Sequence, residues 1–482
     1  MKKIAFLASE AVPYAKTGGL ADVAGALPKY LARLGADVTI LLPLYREVRK
    51  AGFPLKKCLD GAEAVLGPRT VPFSVHEHRA DGVRALFIEH DGYFDRDGLY
   101  GTPAGDYPDN GERYGFYARA SLMTLERLGF RPDVVHCHDW QSAPALAFLK
   151  FDPGLNPFFA SVRSLFTIHN LAYQGLFDRG ILSALGLPDS LFRMSDLEFY
   201  GKVNFLKSGI LYATAVSTVS PTYSREIQTP EFGCGLDGLL RHRAGALHGI
   251  LNGVDYRDWN PVTDALIPRN FGPADMAGKK VCRDELARMF GLSAPDGFPV
   301  AGMVTRLAGQ KGLDIVCEAL DDLLGLGLTL VILGTGEAKI QDFLAAAQKK
   351  NPSRIGLKIA FDERIAHTIY AGSDVFLIPS RYEPCGLTQM YAMKYGTVPV
   401  VRATGGLDDS VQEFDPRSGR GNGFKFAEAE AGPLLEAAAR AVRVFGSPQE
   451  WRGLVGNCMA ADFSWERSAA AYLDLYGKIA AT

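Results

Sequence analysis

The chain has no apolar run approaching the roughly 20 residues that a membrane-spanning helix needs. It also lacks cysteine pairs. The seven cysteines (58, 137, 234, 282, 317, 385 and 458) are scattered, odd in number and without a C-x-x-C spacing, which excludes a disulfide framework and points to a reduced, cytoplasmic set. Excess charge is missing as well. With 52 Lys and Arg against 54 Asp and Glu, the net charge is -2, so no electrostatic footprint for nucleic acid or an anionic membrane exists, and any anionic ligand has to be gripped locally. No G-x-x-x-x-G-K-[ST] loop occurs, which disfavours hydrolysis of a nucleoside triphosphate. The apolar residues 4–8 after Met1-Lys2-Lys3 are too few for a signal peptide, because Ser9-Glu10 ends them; a buried first strand fits better.

What is present is 482 residues, 47% hydrophobic, more than a single core accommodates, so two domains are expected. Short apolar runs at 4–8, 38–42, 85–88, 134–137, 165–169 and 214–219 alternate with helical stretches such as 20–34, where apolar residues recur at helical spacing. The scheme repeats with strands at 300–304, 328–333, 357–360, 375–378 and 398–401, and with helices at 313–326, 338–349, 365–370 and 387–395. Strands separated by helices predict two α/β, doubly wound parallel sheets. The joint falls where Asn252-Gly253-Val254-Asp255 and Trp259-Asn260-Pro261 break the pattern, giving domains 1–251 and 252–461, with a final helix (465–479) in 462–482 that crosses back to the first domain.

The strand ends carry the polar motifs, and ligands of open α/β sheets bind at the carboxyl ends of strands. Lys16-Thr17-Gly18-Gly19-Leu20 lies between the first strand and first helix, where glycines and a helix N-terminus suit an anion. Thr404-Gly405-Gly406-Leu407 echoes it in the second half, suggesting a Gly-rich turn from each domain. Arg306 and Lys311 follow the strand 300–304. An Arg fork and a mobile ammonium are suited to a diphosphate on which charge builds as it leaves. After 375–378 comes Glu383-Pro384-Cys385-Gly386-Leu387-Thr388, which combines a carboxylate for sugar hydroxyls with a helix start; Cys385 is assigned a structural or backbone role. His136-Cys137-His138-Asp139-Trp140 ends another strand. Its Asp139-Trp140 is read as a sugar-facing pair, and no further ligands complete a metal site with His136 and His138. His169, in Thr167-Ile168-His169-Asn170, stands where it contacts a sugar or assists a proton. Asp95-Arg96-Asp97 matches the D-x-D of metal-dependent glycosyltransferases but lies in a polar run, 91–109, read as a long loop; the match is treated as coincidental, and Tyr93 and its neighbours are candidates to touch the ligand.

Taken in order, Lys16-Thr17-Gly18-Gly19-Leu20-Ala21-Asp22-Val23, His138-Asp139-Trp140, Thr167-Ile168-His169-Asn170, Leu251-Asn252-Gly253-Val254-Asp255, Arg306-Leu307 with Gln310-Lys311-Gly312, Glu383-Pro384-Cys385-Gly386-Leu387-Thr388-Gln389 and Thr404-Gly405-Gly406-Leu407 resemble the bacterial glycogen synthases and plant starch synthases over nearly the whole chain. The resemblance implies two Rossmann-like domains facing a central cleft. It also implies transfer of glucose from ADP-glucose to the non-reducing 4-OH of an α-1,4-glucan, with retention and without a metal or other cofactor. Lys16, Gly18, Gly19, Arg306 and Lys311 would then hold the nucleotide-sugar together with Asn252, Cys385, Gly386, Leu387 and Thr388. His169, Arg306, Lys311, Glu383 and Asp139 would serve catalysis, and Asp22, Tyr93, Asp139 and Trp140 the acceptor. The rival readings are a related transferase using UDP-glucose or a small acceptor, and a glucan-binding protein without activity. A phosphate grip would be idle in the second.

Overall fold

The computed structural model describes residues 2–293 and 297–481. The chain forms two compact units, residues 1–250 with 465–482, and residues 251–464. The breaks expected at 252 and 462 compare with these observed crossings at 251 and 465.

The first unit is built on a nine-stranded sheet of β1 (Lys3–Leu7), β2 (Asp37–Pro43), β3 (Lys56–Leu66), β4 (Arg69–Ala80), β5 (Val83–Glu89), β6 (Val134–His138), β7 (Arg163–Ile168), β8 (Ala215–Thr218) and β9 (Leu247–Gly249). The order is β9-β8-β7-β6-β1-β2-β5-β4-β3. The pairs from β9 through β5 are parallel, whereas β5–β4 and β4–β3 are antiparallel. The central strands are buried along nearly their whole length, as expected of a parallel sheet covered on both faces. The helix Trp465–Ala480 belongs to this unit. It buries Trp465, Ala469, Tyr472, Leu475, Tyr476 and Ile479 on one stripe and packs on the helix Gly19–Arg33.

The second unit carries six parallel strands, β10 (Val300–Val304), β11 (Thr329–Leu333), β12 (Ile355–Lys358), β13 (Val375–Ile378), β14 (Val398–Arg402) and β15 (Phe424–Phe426), in the order β12-β11-β10-β13-β14-β15. Numbered within the unit this is 3-2-1-4-5-6, the Rossmann order, which reverses between β10 and β13. The order of the first unit reverses between β1 and β6. Each reversal opens a crevice at the strand ends, and the loops after these four strands carry polar motifs, as do those after β7 and β14.

Each strand expected from the sequence is present to within two residues, while β3, β4, β9 and β15 were not anticipated. Two other features differ. The stretch 313–326 is two helices, Leu313–Glu318 and Leu320–Gly325, and the loop 91–109 contains a short helix, Asp91–Phe94, and a two-stranded turn.

Candidate active site

In the second unit, the loop after β10 and the loop after β13 meet. Gly312 has φ +70°, and a Cβ there would lie 2.0 Å from the Pro379 carbonyl oxygen, so only glycine lets the two loops approach. The Arg381 N–H donates to the Gln310 carbonyl at 2.9 Å across the same seam. Held this way, Lys311 places its Nζ 2.6 Å from Oε2 of Glu383, which also accepts from Ser380 Oγ at 2.9 Å. Arg306 is exposed, and its guanidinium is tethered to Gln310 Oε1 at 3.0 Å. A cation pair and one carboxylate thus share one strand-end crevice.

The turn carrying Glu383 is fixed from behind. The Gly406 N–H donates to the carbonyls of Glu383 (3.1 Å) and Pro384 (3.2 Å). A Cβ on Gly405 would meet the Glu383 oxygen at 1.9 Å, and one on Gly406 the Cys385 oxygen at 2.0 Å. Buried Gln389 donates to the Cys385 and Gly386 carbonyls and to Ser410. Cys385 is buried, and its thiol is pushed up to about 12 by that burial, with Asn252 N–H groups turned toward the sulfur; a thiol so held is no nucleophile. Gly386, Leu387 and Thr388 remain partly exposed at the start of the helix Thr388–Lys394.

In the first unit, Glu10 follows β1 and is buried, at 4% exposure. Its carboxylate accepts from Thr17 N (2.5 Å), Gly18 N (3.0 Å), Thr17 Oγ1 (3.0 Å) and Tyr100 OH (2.9 Å). The Lys16-Thr17-Gly18 turn is therefore wrapped around a carboxylate of its own chain. Glu47, an exposed residue, faces the Lys16 N–H, and its pKa is raised chiefly by partial desolvation. Lys16 Nζ contacts Asp22 at 2.6 Å. A Cβ on Gly18 or Gly19 would meet nothing within 4 Å, so neither glycine is required by the fold.

Next to this turn the ends of β6 and β7 carry three histidines. His136 bridges Tyr476 OH (2.7 Å) and Thr167 Oγ1 (2.6 Å); His138 Nδ1 lies 2.9 Å from His169 Nε2. Burial holds the pKa of His136 and His138 well below the ordinary imidazole value and lowers that of His169 to about 3, so all three are neutral at pH 7. Asp139 sits at φ +53° and accepts the His169 N–H at 2.7 Å. Burial, with a smaller contribution from the charge of Glu10, raises its pKa to about 7 against the lowering effect of the His169 and Asn170 N–H groups.

Comparison with known proteins gives the family. A family model described as the starch synthase catalytic domain matches residues 3–242, and one described as glycosyl transferases group 1 matches residues 286–443. The glycogen synthase of Syntrophotalea carbinolica is 46% identical over 475 residues, 98% of each chain, and that of Koribacter versatilis is 46% identical over 483 residues, again 98% of each. The chain belongs to the glycogen and starch synthase family. Among solved structures, the catalytic domain of starch synthase IV from Arabidopsis thaliana, bound to ADP and acarbose, is 34% identical with a TM-score of 0.90, covering 100% of this chain and 99% of that one. A sucrose-phosphate synthase from Thermosynechococcus elongatus, at 18% identity and TM-score 0.60, shares the fold. As a glycogen synthase homologue, the chain is a glycosyltransferase with two Rossmann-like units.

Several residues singled out in the sequence of this glycosyltransferase take other places. Trp140 is partly exposed, packed edge-on to Tyr114 (5.1 Å) and against Phe177, and a Cβ on Gly175 would lie 2.6 Å from its indole. Tyr93 is buried, stacked on His90 and bonded to Glu112. Asp139 is committed to the His169 backbone and acts by positioning it. Asn252 is buried behind Cys385 and supports the donor turn from inside the protein. The N–H of Gly18 is taken by Glu10, and the glycines of Thr404-Gly405-Gly406-Leu407 serve close packing, so the two similar turns do different work. Asp95 and Asp97 grip Arg46 at 2.7 and 2.8 Å. Among the described residues, no group of three or more His, Cys, Asp or Glu is placed to hold a metal, and no helix is long and apolar enough to cross a membrane. Sequence reasoning passed over Glu10 and Gln389. The available signal for Glu10 was a carboxylate directly after an apolar strand, a place where an acidic residue is seldom buried unless it is bonded.

Proposed function

We propose that the chain is a cytoplasmic, metal-independent glycogen synthase that transfers glucose from ADP-glucose to the non-reducing 4-OH of an α-1,4-glucan with retention of configuration. The observation that carries this reading is the crevice after β10 and β13, where Lys311, Arg306 and Glu383 converge beside the open helix start at Gly386–Thr388. The binding of ADP and acarbose by the Arabidopsis starch synthase IV domain supports a nucleotide diphosphate and a glucan-like molecule as ligands of such a site.

In this reading Arg306 and Lys311 neutralise the diphosphate, and the N–H groups of Gly386, Leu387 and Thr388 add fixed dipoles toward it. Glu383 accepts from hydroxyls of the donor glucose, and His169 and Asp22 face the sugars. The bond from C1 to the diphosphate oxygen lengthens to an oxocarbenium-like state. The acceptor 4-oxygen bonds to C1 on the face the diphosphate leaves, and its proton passes to the departing phosphate oxygen. Same-face attack is favoured because both carboxylates that would serve as nucleophiles are committed: Oε2 of Glu383 to Lys311 and Ser380, and Oδ1 of Asp139 to the His169 N–H. Side-chain cations perform the charge neutralisation for which other transferases use a D-x-D metal. Competition between ADP-glucose and UDP-glucose for glycogen, run with and without EDTA, tests the reading. Preferred transfer from ADP-glucose that survives EDTA supports it; preference for UDP-glucose, or activity abolished by EDTA and restored by manganese, overturns it.

A further inference from the structure

His169 meets the chain in two ways. Its backbone N–H is fixed by Asp139, and its side chain shares one hydrogen bond, between its Nε2 and His138 Nδ1 at 2.9 Å. Its Nδ1 carries no bond from the described residues, and the side chain is partly exposed. His138 is different. It is wholly buried, with Phe6 stacked at 4.0 Å and His136 also at 4.0 Å between ring centroids, and its Nε2 has no hydrogen-bond partner.

Two neutral imidazoles sharing one hydrogen bond have two arrangements. In one, His169 donates from Nε2, which forces the proton of His138 onto its own Nε2, where a buried N–H would be orphaned. In the other, His138 donates from Nδ1, and its unpartnered Nε2 is only a lone pair. Orphaned buried donors are rarer and costlier than under-used acceptors. We infer that His138 is a positioning residue that locks His169 into its Nδ1–H tautomer, making His169 a hydrogen-bond donor toward the ligand and not a proton acceptor. This deepens the reading above, in which His169 faces the reacting sugar. Its Nε2 lone pair is occupied, so only the Nδ1–H is offered, and a donor matches a sugar hydroxyl oxygen or an oxygen of the leaving phosphate. His136, bonded at both nitrogens, backs the His138 ring and keeps it from turning.

The test is a two-bond proton–nitrogen correlation spectrum of the full chain with 15N-histidine, His169 being assigned by its disappearance in His169→Gln. The expected spectrum at pH 7 shows His169 neutral with its proton on Nδ1; a proton on Nε2 overturns the inference whether or not the chain proves to be a glycogen synthase. Two variants extend it. His138→Asn places an amide N–H near the position of Nδ1 and keeps the donor, whereas His138→Phe fills the space without one. The Asn variant should retain the tautomer and stay within about threefold of the parent kcat/KM, and the Phe variant should populate the Nε2–H form and lose at least about tenfold, mainly in kcat. Equal losses in both variants with an unchanged His169 spectrum would reduce His138 to a packing role. If the Phe variant does not fold, the parent spectrum and the Asn variant still decide.

Discussion

Replacing Lys311 by Met removes the cation from Glu383 while keeping the length of the side chain. Two separate losses follow. Lys311 and Glu383 retain only 19% and 12% side-chain exposure and lie 2.6 Å apart. Breaking a fully buried pair from one side costs about 3–5 kcal/mol; with this residual solvent contact and Ser380 still bonded, about 2–3 kcal/mol is expected. Loss of one preorganised cation at a departing diphosphate lowers turnover by roughly 10²–10³. The double variant Lys311→Met/Glu383→Gln separates the two effects, because it leaves no unpaired carboxylate. Urea unfolding should show the double variant within about 1 kcal/mol of the parent, while glucosyl transfer stays as low as in Lys311→Met or lower. Recovery of both stability and turnover in the double variant would refute the reasoning, because it would mean that Lys311 only neutralises Glu383. Unchanged stability and turnover in Lys311→Met would refute it equally.

The glycine pairs give a contrast. Gly406→Ala drives a Cβ to 2.0 Å from the Cys385 oxygen and should destabilise by more than about 2 kcal/mol, whereas Gly18→Ala meets open space and should melt within a degree or two of the parent; reversed effects would contradict the packing assignment. Asp97→Asn loosens the grip on Arg46 and should leave the EDTA-resistant rate within about twofold, measured with manganese present and absent. His169, with its pKa lowered to about 3 from the usual 6.5, stays unprotonated in the fold while the unfolded chain takes up the proton, so its contribution to stability falls as pH drops through that window. Between pH 6.5 and 4.5 the parent should lose at most about 2.7 kcal/mol more than His169→Gln in urea unfolding, and a smaller loss in the parent would contradict the sign.

Strand positions and the two-unit division were legible because buried parallel strands read as short apolar runs between helical stretches. The hairpin β3–β4 was not. It is exposed along much of both strands, and its register shifts between Lys57 and Leu59 and between Leu59 and Ala62 break the alternation that marks a strand. Arg306, Lys311, Glu383 and His169 were singled out because cations, carboxylates and histidines stand just after apolar strands, and the structure places Lys311 against Glu383 and Arg306 against Gln310. Trp140 and Tyr93 mark a limit of the same signal: an aromatic near a strand end reads the same whether its ring faces ligand or protein, and their neighbours Gly175 and Glu112 lie apart from them in sequence. Glu10 went unassigned although it too follows an apolar strand, because its partners Thr17, Gly18 and Tyr100 stand apart from it in sequence. Its role exists only in the turn that Thr17 and Gly18 form around it.

The most direct measurement is to follow ADP-[1-13C]glucose and glycogen with the full chain by 13C NMR. The anomeric carbon of ADP-α-glucose should pass straight to that of an α-1,4-linked glucan residue, at a rate reduced at least about a hundredfold in Lys311→Met. A β-linked product, free glucose as the main product, or no consumption of ADP-glucose under conditions where UDP-glucose is consumed would contradict the account.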